Sequence, residues 1–522
     1  MAAAVSPAPG AIRLASTQGR WVILATVLGS SMAFLDATVV NVALPTIGRD
    51  LHTSLAGLQW TVTAYTLTLA GLILLGGALG DRLGRRRIFV IGVIWFALAS
   101  ALCGLAPGIG VLIAARALQG IGGALLTPGS LAIIQATFAP DDRPRAIGAW
   151  SGLGGVAGAV GPFLGGWIIG SVGWRWIFLL NLPLAVLVVA VTARHVPETR
   201  DPTSHGRFDW AGAILAALAL AGITDALIEA PVHGLARSVL TGGAGILAGA
   251  GFVLLERHRG RADHGVPPML PLDVFASRQF NAVNLVTFVI YGALGGTLFL
   301  LVLQLQVVSG YSPIAAGVSL LPLTVLMLVL SSRAGALAQR VGPRWLMTTG
   351  CALCAAGLLL AVRIGPNASY VADVLPTVIL FGLGLSAVVA PLTATVLASA
   401  DVRHAGVASG VNNAVARAAG LLAVAGLPLA VGLTGDAYED PAMMNSGFRM
   451  AMVLCAGLLA VAAVLSALTI DNDVLRPEPE QPKAQPECLT CLPIGAPPLE
   501  AGNPAEAPPD HGNRVEAPPR GH

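Results

Sequence analysis

The stretch Gly77-Ala-Leu-Gly-Asp-Arg-Leu-Gly-Arg-Arg86 lies between two long apolar runs, and it recurs as Gly335-Ala-Leu-Ala-Gln-Arg-Val-Gly-Pro-Arg344. A second match has the same offset of 258 residues, since Gly148-Ala-Trp-Ser-Gly152 returns as Gly406-Val-Ala-Ser-Gly410. Two independent matches at one offset predict that the chain contains two repeated halves.

The composition places the chain in a membrane. Of its 522 residues, 55% are apolar and 11% are charged, whereas an average soluble domain is about 25% charged. Apolar runs predict fourteen spans, near 21–44, 58–79, 88–105, 109–135, 147–170, 176–193, 210–229, 237–255, 280–308, 313–332, 345–362, 371–398, 405–432 and 448–470.

These spans predict an all-α polytopic membrane protein with two six-helix halves and two additional helices between them. The predicted division is an N-terminal segment 1–20, a first half 21–193, two additional helices with linkers 194–279, a second half 280–470 and a tail 471–522. We expect the tail to be disordered because it is rich in Pro, Glu, Gly and Ala and has no apolar period.

The arginines predict the orientation. Nineteen lie in loops on the side of the two termini and five lie in the opposite loops. By the positive-inside rule both termini are expected in the cytoplasm of a plasma membrane. A single lysine, Lys483, stands against 29 arginines, which indicates GC-rich coding and a bacterial source.

Asp36 and Arg116 are ionisable residues inside predicted spans 1 and 4. A charge at such depth costs roughly 2.5 kcal/mol or more and by default marks an ion or substrate path. Both residues lie about seven positions from the same membrane surface, roughly 10 Å at the helical rise. Matched depth therefore predicts an Asp36–Arg116 pair.

Several other functions are excluded or unsupported. The basic residues are short loop clusters between apolar spans, so nucleic-acid binding is not indicated. Lys483 is not in a phosphate-binding loop, and no H-E-x-x-H or G-x-S-x-G occurs, so no enzyme activity is predicted. Cys488-Leu-Thr-Cys491 is a lone pair, and we expect no metal and no cofactor.

Further motifs carry a family resemblance. The loop Gly77–Arg86 resembles the signature loop of the major facilitator superfamily, and the Gly161-Pro162-x-x-Gly165-Gly166 ending of span 5 resembles the antiporter motif of its drug exporters. The stretches Leu35–Pro45, Leu58–Tyr65, Arg116–Gly122, Trp174–Pro183 and Leu303–Pro313 are similar to those of the fourteen-span drug:proton antiporters.

The resemblance implies proton-coupled efflux of small organic compounds such as drugs or antibiotics, driven by the proton gradient. It implies proton coupling through Asp36 and Arg116. Partners would be a small-molecule substrate, protons and the lipid bilayer, and we expect a monomer.

The resemblance also implies two structural sites and a cavity. One is a conformational latch, in which the loop Asp contacts the start of a helix in the other half, at Gly77, Asp81, Arg82, Gly84 and Arg85. The other is an antiporter motif at Gly154, Gly158, Gly161, Pro162, Gly165 and Gly166. Candidate cavity residues are Asn41, Gln59, Tyr65, Gln119, Gln304, Asn412 and Arg417.

Alternatives remain open on the same residues. An uptake permease or facilitator for a metabolite would use the same scaffold, and a non-transporting membrane sensor would move no substrate. The glycines of span 5 also have a structural interpretation, because small-x-x-x-small spacing allows close helix packing. Arg417 has one as well, since it could bond backbone carbonyls of a bent neighbouring helix.

Overall fold

The computed structural model describes residues 12–139, 142–200, 208–261, 268, 270, 272–399, 405–435 and 437–475. Within these ranges the chain forms α-helices, and paired extended backbone is limited to one bridge between Ile12 and Phe138. Most of the predicted N-terminal segment and all of the tail beyond position 475 lie outside the described residues.

The helices follow the predicted spans. The first half contains α1 (Thr17–Leu51), α2 (Leu55–Leu83), α3 (Arg85–Gly104), α4 (Ile109–Thr137), α5 (Arg143–Ser171), α6 (Arg175–Leu179) and α7 (Asn181–His195). Two helices follow, α8 (Trp210–His233) and α9 (Leu235–Arg261). The second half contains α10 (Arg278–Leu303), α11 (Pro313–Ser319), α12 (Leu321–Val341), α13 (Pro343–Ala361), α14 (Leu375–Ala398), α15 (Ala405–Ala430) and α16 (Pro441–Thr469).

Thirteen helical segments of the described chain are long and apolar enough to cross a membrane. The remaining predicted span, span 5, corresponds to the 29-residue helix α5, whose apolar part is Val156–Ser171. Hydrocarbon offers the backbone no hydrogen-bond partner, so a spanning segment must pair its own amides and carbonyls, as a helix does. The prediction of an all-α polytopic fold is confirmed.

The two halves meet through helices that correspond in the repeat. The loop matches place α2 opposite α12, and the Gly148 and Gly406 matches place α5 opposite α15. In the structure α5 packs on α11 and α12, and α15 packs on α2. The α5–α12 and α2–α15 contacts between the halves therefore use the same pair of repeat positions, as a pseudo-twofold arrangement requires.

The additional helices α8 and α9 pack on each other, and α8 also packs on α2 and α15. The indole Nε1 of Trp60 on α2 donates a hydrogen bond of 2.8 Å to the Glu229 carboxylate on α8. Large apolar side chains of α9, such as Leu240 and Leu247, are exposed, which is the surface expected of a helix in lipid. The additional pair thus covers the α2–α15 contact between the halves.

The repeated loops have the same geometry in both halves. Gly84 and Gly342 begin α3 and α13 with φ of 113° and 96°, a backbone region that residues with a side chain rarely adopt. Arg86 donates to the carbonyl of Val196 at 3.2 Å, and Arg344 donates to the carbonyl of Ile470 at 2.6 Å. Each of these carbonyls follows the last helix of its own half.

The proposed latch residue Asp81 makes a local contact in this structure. Its carboxylate pairs with Arg85, one helical turn away, at 2.8 Å. The start of α3 is instead capped by Glu198, which accepts hydrogen bonds from the amides of Arg86 and Arg87 at 3.1 and 3.2 Å. In this structure the described contact of Asp81 is thus within its own loop, and its contact with a helix start in the other half stays a prediction.

The glycines of α5 place its backbone against both halves. A side chain at Gly161 would collide with Thr38 of α1, and a Cβ at Gly165 would lie 2.7 Å from Val39. A Cβ at Gly166 would lie 2.6 Å from the backbone of Ile314 on α11. A side chain at any of these three positions would therefore displace the neighbouring helix or its side chains.

The remaining motif positions differ among themselves. A Cβ at Gly154 would lie 3.3 Å from Phe34, a milder contact, and the carbonyl of Pro162 lies against Gly317 of α11. A Cβ at Gly158 would meet no atom within 4 Å. The expectation that Gly158 belongs to a packed seam was wrong, because the rotation of α5 directs this position into open space.

We expect Gly166→Leu to destabilise the protein and Gly158→Leu to leave its stability unchanged. Overpacking a close contact costs about 1–3 kcal/mol, and a leucine side chain in place of Gly166 would press α5 away from α11. Thermal unfolding of the purified variants in one detergent measures the difference. Equal melting temperatures for the two variants would contradict the contact between α5 and α11.

Candidate functional site

A central cavity of about 510 Å³ lies between the halves, within the usual range of small-molecule sites. Its wall combines aliphatic and aromatic side chains with a few polar ones. The polar and aromatic groups come from both halves and include Ser30, Phe34, Asn41, Thr63, Tyr65 and Thr127 from the first and Tyr291, Thr393, Asn412, Asn413 and Arg417 from the second.

Four of the seven predicted cavity residues line this cavity: Asn41, Tyr65, Asn412 and Arg417. The Asn412 amide donates to Asn284 at 3.2 Å and to Thr287 at 2.8 Å, which ties α15 to α10. The Nε atom of Arg417 is buried and has no hydrogen-bond partner in the described part of the chain. This nitrogen therefore donates no bond to a backbone carbonyl of the described residues.

The three predicted glutamines lie elsewhere. Gln59 donates to the carbonyls of Val424 and Ala425, Gln304 donates to the carbonyl of Ile364 at 2.8 Å, and Gln119 lies beside Asp36. All three side chains are buried. The placement of these residues in the cavity was wrong, because a buried amide binds the nearest carbonyl or carboxylate rather than a water-filled space.

The predicted Asp36–Arg116 pair is present and buried. Arg116 Nη1 lies 2.5 Å from Asp36 Oδ2, and each of the two side chains is 1% exposed. The second carboxylate oxygen accepts a hydrogen bond of 2.8 Å from Gln119, and Arg116 also donates to the Gln119 oxygen at 2.6 Å and to the Thr61 carbonyl at 3.0 Å. Both oxygens of the carboxylate are thus satisfied, as a buried charge requires.

Two residues of this network were not assigned a role from the sequence. The Ser100 hydroxyl accepts from Gln119 at 3.2 Å and from the Asn181 amide at 2.9 Å, and it donates to the Phe178 carbonyl at 2.9 Å. Asn181 is a polar residue at the start of an apolar helix, which is a usable signal. A serine such as Ser100 is common in membrane helices and gives none.

Tyr65 lies between the charge pair and the cavity. Its ring is 4.4 Å from the guanidinium carbon of Arg116, at cation–π distance, and the same residue lines the cavity wall. Asp36 itself is not among the lining residues. The charge pair and the cavity are therefore separate compartments that share one aromatic side chain.

The halves are joined at one end of the bundle, here named the distal end, which holds the turn between α1 and α2. Gln59 donates to Val424 and Ala425 at 2.8 and 3.0 Å. Across the same end, bonds of 2.8 to 3.1 Å run from Tyr438 Oη to the Thr53 carbonyl, from the Leu55 amide to Gly435, and from Gln306 to Val42.

The opposite end, named the proximal end, holds residues 12 and 475. Thr393 and Leu397 line the cavity close to the last residue of α14, Ala398, at this end. The cavity therefore extends from the distal contacts toward the proximal end.

Two repeated helical halves around a central cavity that is closed at one end define a membrane transporter of the alternating-access class. The family model described as Major Facilitator Superfamily matches residues 26–424. The chain belongs to the major facilitator superfamily.

Three relatives are named for antibiotic resistance. The chain is 34% identical over 421 residues to the tetracenomycin C resistance and export protein of Streptomyces glaucescens, which covers 80% of this chain and 77% of that protein. It is 37% identical over 414 residues to the puromycin resistance protein pur8 of Streptomyces alboniger, covering 78% and 80%. A methylenomycin A resistance protein of Bacillus subtilis is 35% identical over 416 residues, covering 78% and 87%.

Solved structures share the fold at low sequence identity. A bacterial homologue of the human lysosomal transporter Spinster, inward-facing and unoccupied, has a TM-score of 0.62 at 19% identity, with 89% of this chain and 100% of that chain covered. The POT family transporter PepTSo has a TM-score of 0.61 at 15% identity, with 86% of this chain and 97% of that chain covered.

We expect Gln59→Leu to open the distal end. The substitution removes two hydrogen bonds between the halves, worth about 2 kcal/mol together, or roughly 30-fold in the equilibrium between the closed and open forms. Spin labels at exposed Leu105 and Met443, near the distal end, should move apart, and labels at Leu83 and Val341, near the proximal end, should approach each other.

Exposed Gln135, at the far end of α4, provides the matched control. Gln135→Leu should leave both label distances as in the unsubstituted protein. Unchanged distances in Gln59→Leu would mean that the remaining distal contacts hold the closure without it.

Proposed function

We propose that this chain exports small organic compounds, drugs or antibiotics among them, across the bacterial cytoplasmic membrane in exchange for protons. The observation that carries the proposal is the buried Asp36–Arg116 pair at 2.5 Å beside a cavity of about 510 Å³. Asp36 is a carboxylate that is paired with one counter-charge inside an apolar bundle. Binding of a proton to it therefore changes the net charge of the pair. The export and resistance proteins at 34–37% identity support the direction of transport.

The arginine distribution supports an orientation with the proximal end in the cytoplasm, since nineteen loop arginines lie on that side and five on the other. In this orientation the distal closure faces the outside and the cavity faces the cytoplasm. The described conformation then corresponds to the form that loads substrate from inside the cell.

The proposed cycle uses Asp36 as the proton carrier. In the outward-open form Asp36 takes up a proton, and the neutral carboxyl holds Arg116 less strongly. The protonated form closes at the distal end and opens at the proximal end. There Asp36 loses its proton, re-forms the pair seen here, and substrate enters the cavity.

The membrane potential drives this cycle. A proton that moves inward down the potential releases about 2.3 kcal/mol per 100 mV. This free energy can drive substrate transport only if the charge state of Asp36 changes the interactions that the cavity makes with a substrate. Tyr65 is the side chain that contacts Arg116 and lines the cavity, and we assign it this coupling role.

Asp36→Asn should abolish proton exchange, because the amide side chain cannot take up and release a proton as a carboxylate does. The measurement is proton release in everted vesicles upon addition of an antibiotic to which the chain confers resistance in an exporter-depleted host. We expect a fall of at least tenfold.

Asp50→Asn is the matched control, since Asp50 lies on the same helix and pairs with Arg175 at 2.7 Å on the exposed surface. It should stay within twofold of the unsubstituted rate. Wild-type proton release in Asp36→Asn would remove the carboxylate from the mechanism. Substrate movement out of the vesicle lumen rather than into it, opposite in sense to export because the vesicles are everted, would identify an uptake permease.

Tyr65→Leu should lower the number of protons moved per substrate, whereas Tyr65→Phe should preserve it. A cation–π contact contributes about 0.5–2 kcal/mol, and phenylalanine keeps the ring that Arg116 contacts. Parallel measurement of proton and substrate flux in vesicles gives the ratio. Equal loss in both variants would show that the hydroxyl, and not the ring, is required.

A further inference from the structure

Arg417 is a cation in the wall of the central cavity, and the described residues provide no counter-charge for it. It lies on α15 and lines the cavity. It makes no ion pair with the described carboxylates, and its buried Nε has no hydrogen-bond partner among the described residues. Arginine stays protonated in proteins, so the cavity carries a positive charge.

The described residues of the cavity wall offer this cation no acidic partner. None of the described lining residues is Asp or Glu. The nearby carboxylate of Asp36 is 1% exposed and accepts from Arg116 and Gln119 with its two oxygens. Because Asp36 is already committed to that network, it does not neutralise Arg417.

The groups around Arg417 suit an anion. Tyr65 and Tyr291 lie within electrostatic reach of the guanidinium, and both line the cavity. Their hydroxyl groups can donate hydrogen bonds. Asn413 lies one helical turn before Arg417 on the same wall and is exposed to the cavity.

The rest of the wall is apolar. Phe34, Val62, Leu294, Leu298 and Leu421 line the cavity. A ligand that fits this arrangement has an apolar body for these side chains and one negative group for the guanidinium. A ligand cation would meet a charge of its own sign in a partly desolvated space.

We propose that the cavity is a site for organic anions, such as carboxylates, sulfonates and ionised phenols, and that Arg417 is the counter-charge that selects them. This inference rests on the proposed function because it takes the cavity as the transport site. A guanidinium forms paired hydrogen bonds with such anions, and the bound anion replaces the water that otherwise solvates Arg417.

The test compares two probes that share one ring skeleton. The anion 8-anilinonaphthalene-1-sulfonate differs from neutral N-phenyl-1-naphthylamine by its sulfonate. Binding of each to the full chain in lipid nanodiscs is measured by fluorescence, with empty nanodiscs subtracted. The sulfonate should bind at least tenfold more tightly than the neutral probe.

Arg417→Gln should weaken sulfonate binding at least tenfold and change binding of the neutral probe less than twofold. Arg417→Lys, which keeps the charge, should retain most of the sulfonate affinity. An unchanged sulfonate affinity in Arg417→Gln, or an equal loss for both probes, overturns the proposal.

Asn413→Asp decides the question if Arg417→Gln does not fold. The new carboxylate would lie four residues before Arg417, a spacing at which helix side chains pair. It should therefore abolish the preference for the sulfonate. A preserved preference overturns the proposal.

The binding assay requires no proton gradient and no transport. Loss of the sulfonate preference together with intact proton-coupled export would reject only the anion site. A clear sulfonate preference with failed proton exchange in vesicles would reject only the proposed antiport.

Discussion

The pairing of Asp36 with Arg116 is the interaction on which the arrangement of the first half depends. Neither charge is tolerated alone at this depth, because an unpaired buried charge costs several kcal/mol. Thr61 and Gln119 form further hydrogen bonds with the pair, Gln119 also donates to Ser100, and Asn181 donates to Ser100 in turn. These residues come from α1, α2, α3, α4 and α7, so one polar network fixes the relative positions of five helices.

The two halves share a backbone plan and differ in charge. Both repeated loops have a positive φ, at Gly84 and Gly342, and in both an arginine donates to a carbonyl at the end of its own half. The first half contains a paired acid and base, whereas the second contributes Arg417 without a described partner. The repeat thus accounts for the shared scaffold. The halves differ in charge, because the first contains a buried ion pair and the second contains Arg417, which has no described counter-charge.

The contacts between the halves are of a kind that can be exchanged. Gly166 of α5 lies against the backbone of Ile314 on α11, so this contact between the halves involves no large side chain at Gly166 and allows the helices to slide or tilt. The distal closure relies on side-chain amides and a hydroxyl that donate to carbonyls. Such bonds are each worth about 1 kcal/mol, which is small enough for ligand and proton binding to reverse the closure.

The sequence by itself determined the elements and their pairing. Hydropathy located the spans because a membrane helix is long and uniformly apolar. The offset of 258 residues revealed the repeat, and equal depth in two spans predicted the Asp36–Arg116 pair. These features depend on position along the helix axis, which residue counting measures directly.

Only the tertiary structure decided which way each side chain faces. Gln59, Gln119 and Gln304 were expected in the cavity and lie in buried contacts, and Gly158 faces open space between glycines that are tightly packed. The sequence alone likewise did not show that the buried Nε of Arg417 has no described hydrogen-bond partner. These properties depend on the rotation of a helix about its axis and on the neighbours it meets, which packing of the whole bundle sets and no local stretch of sequence specifies.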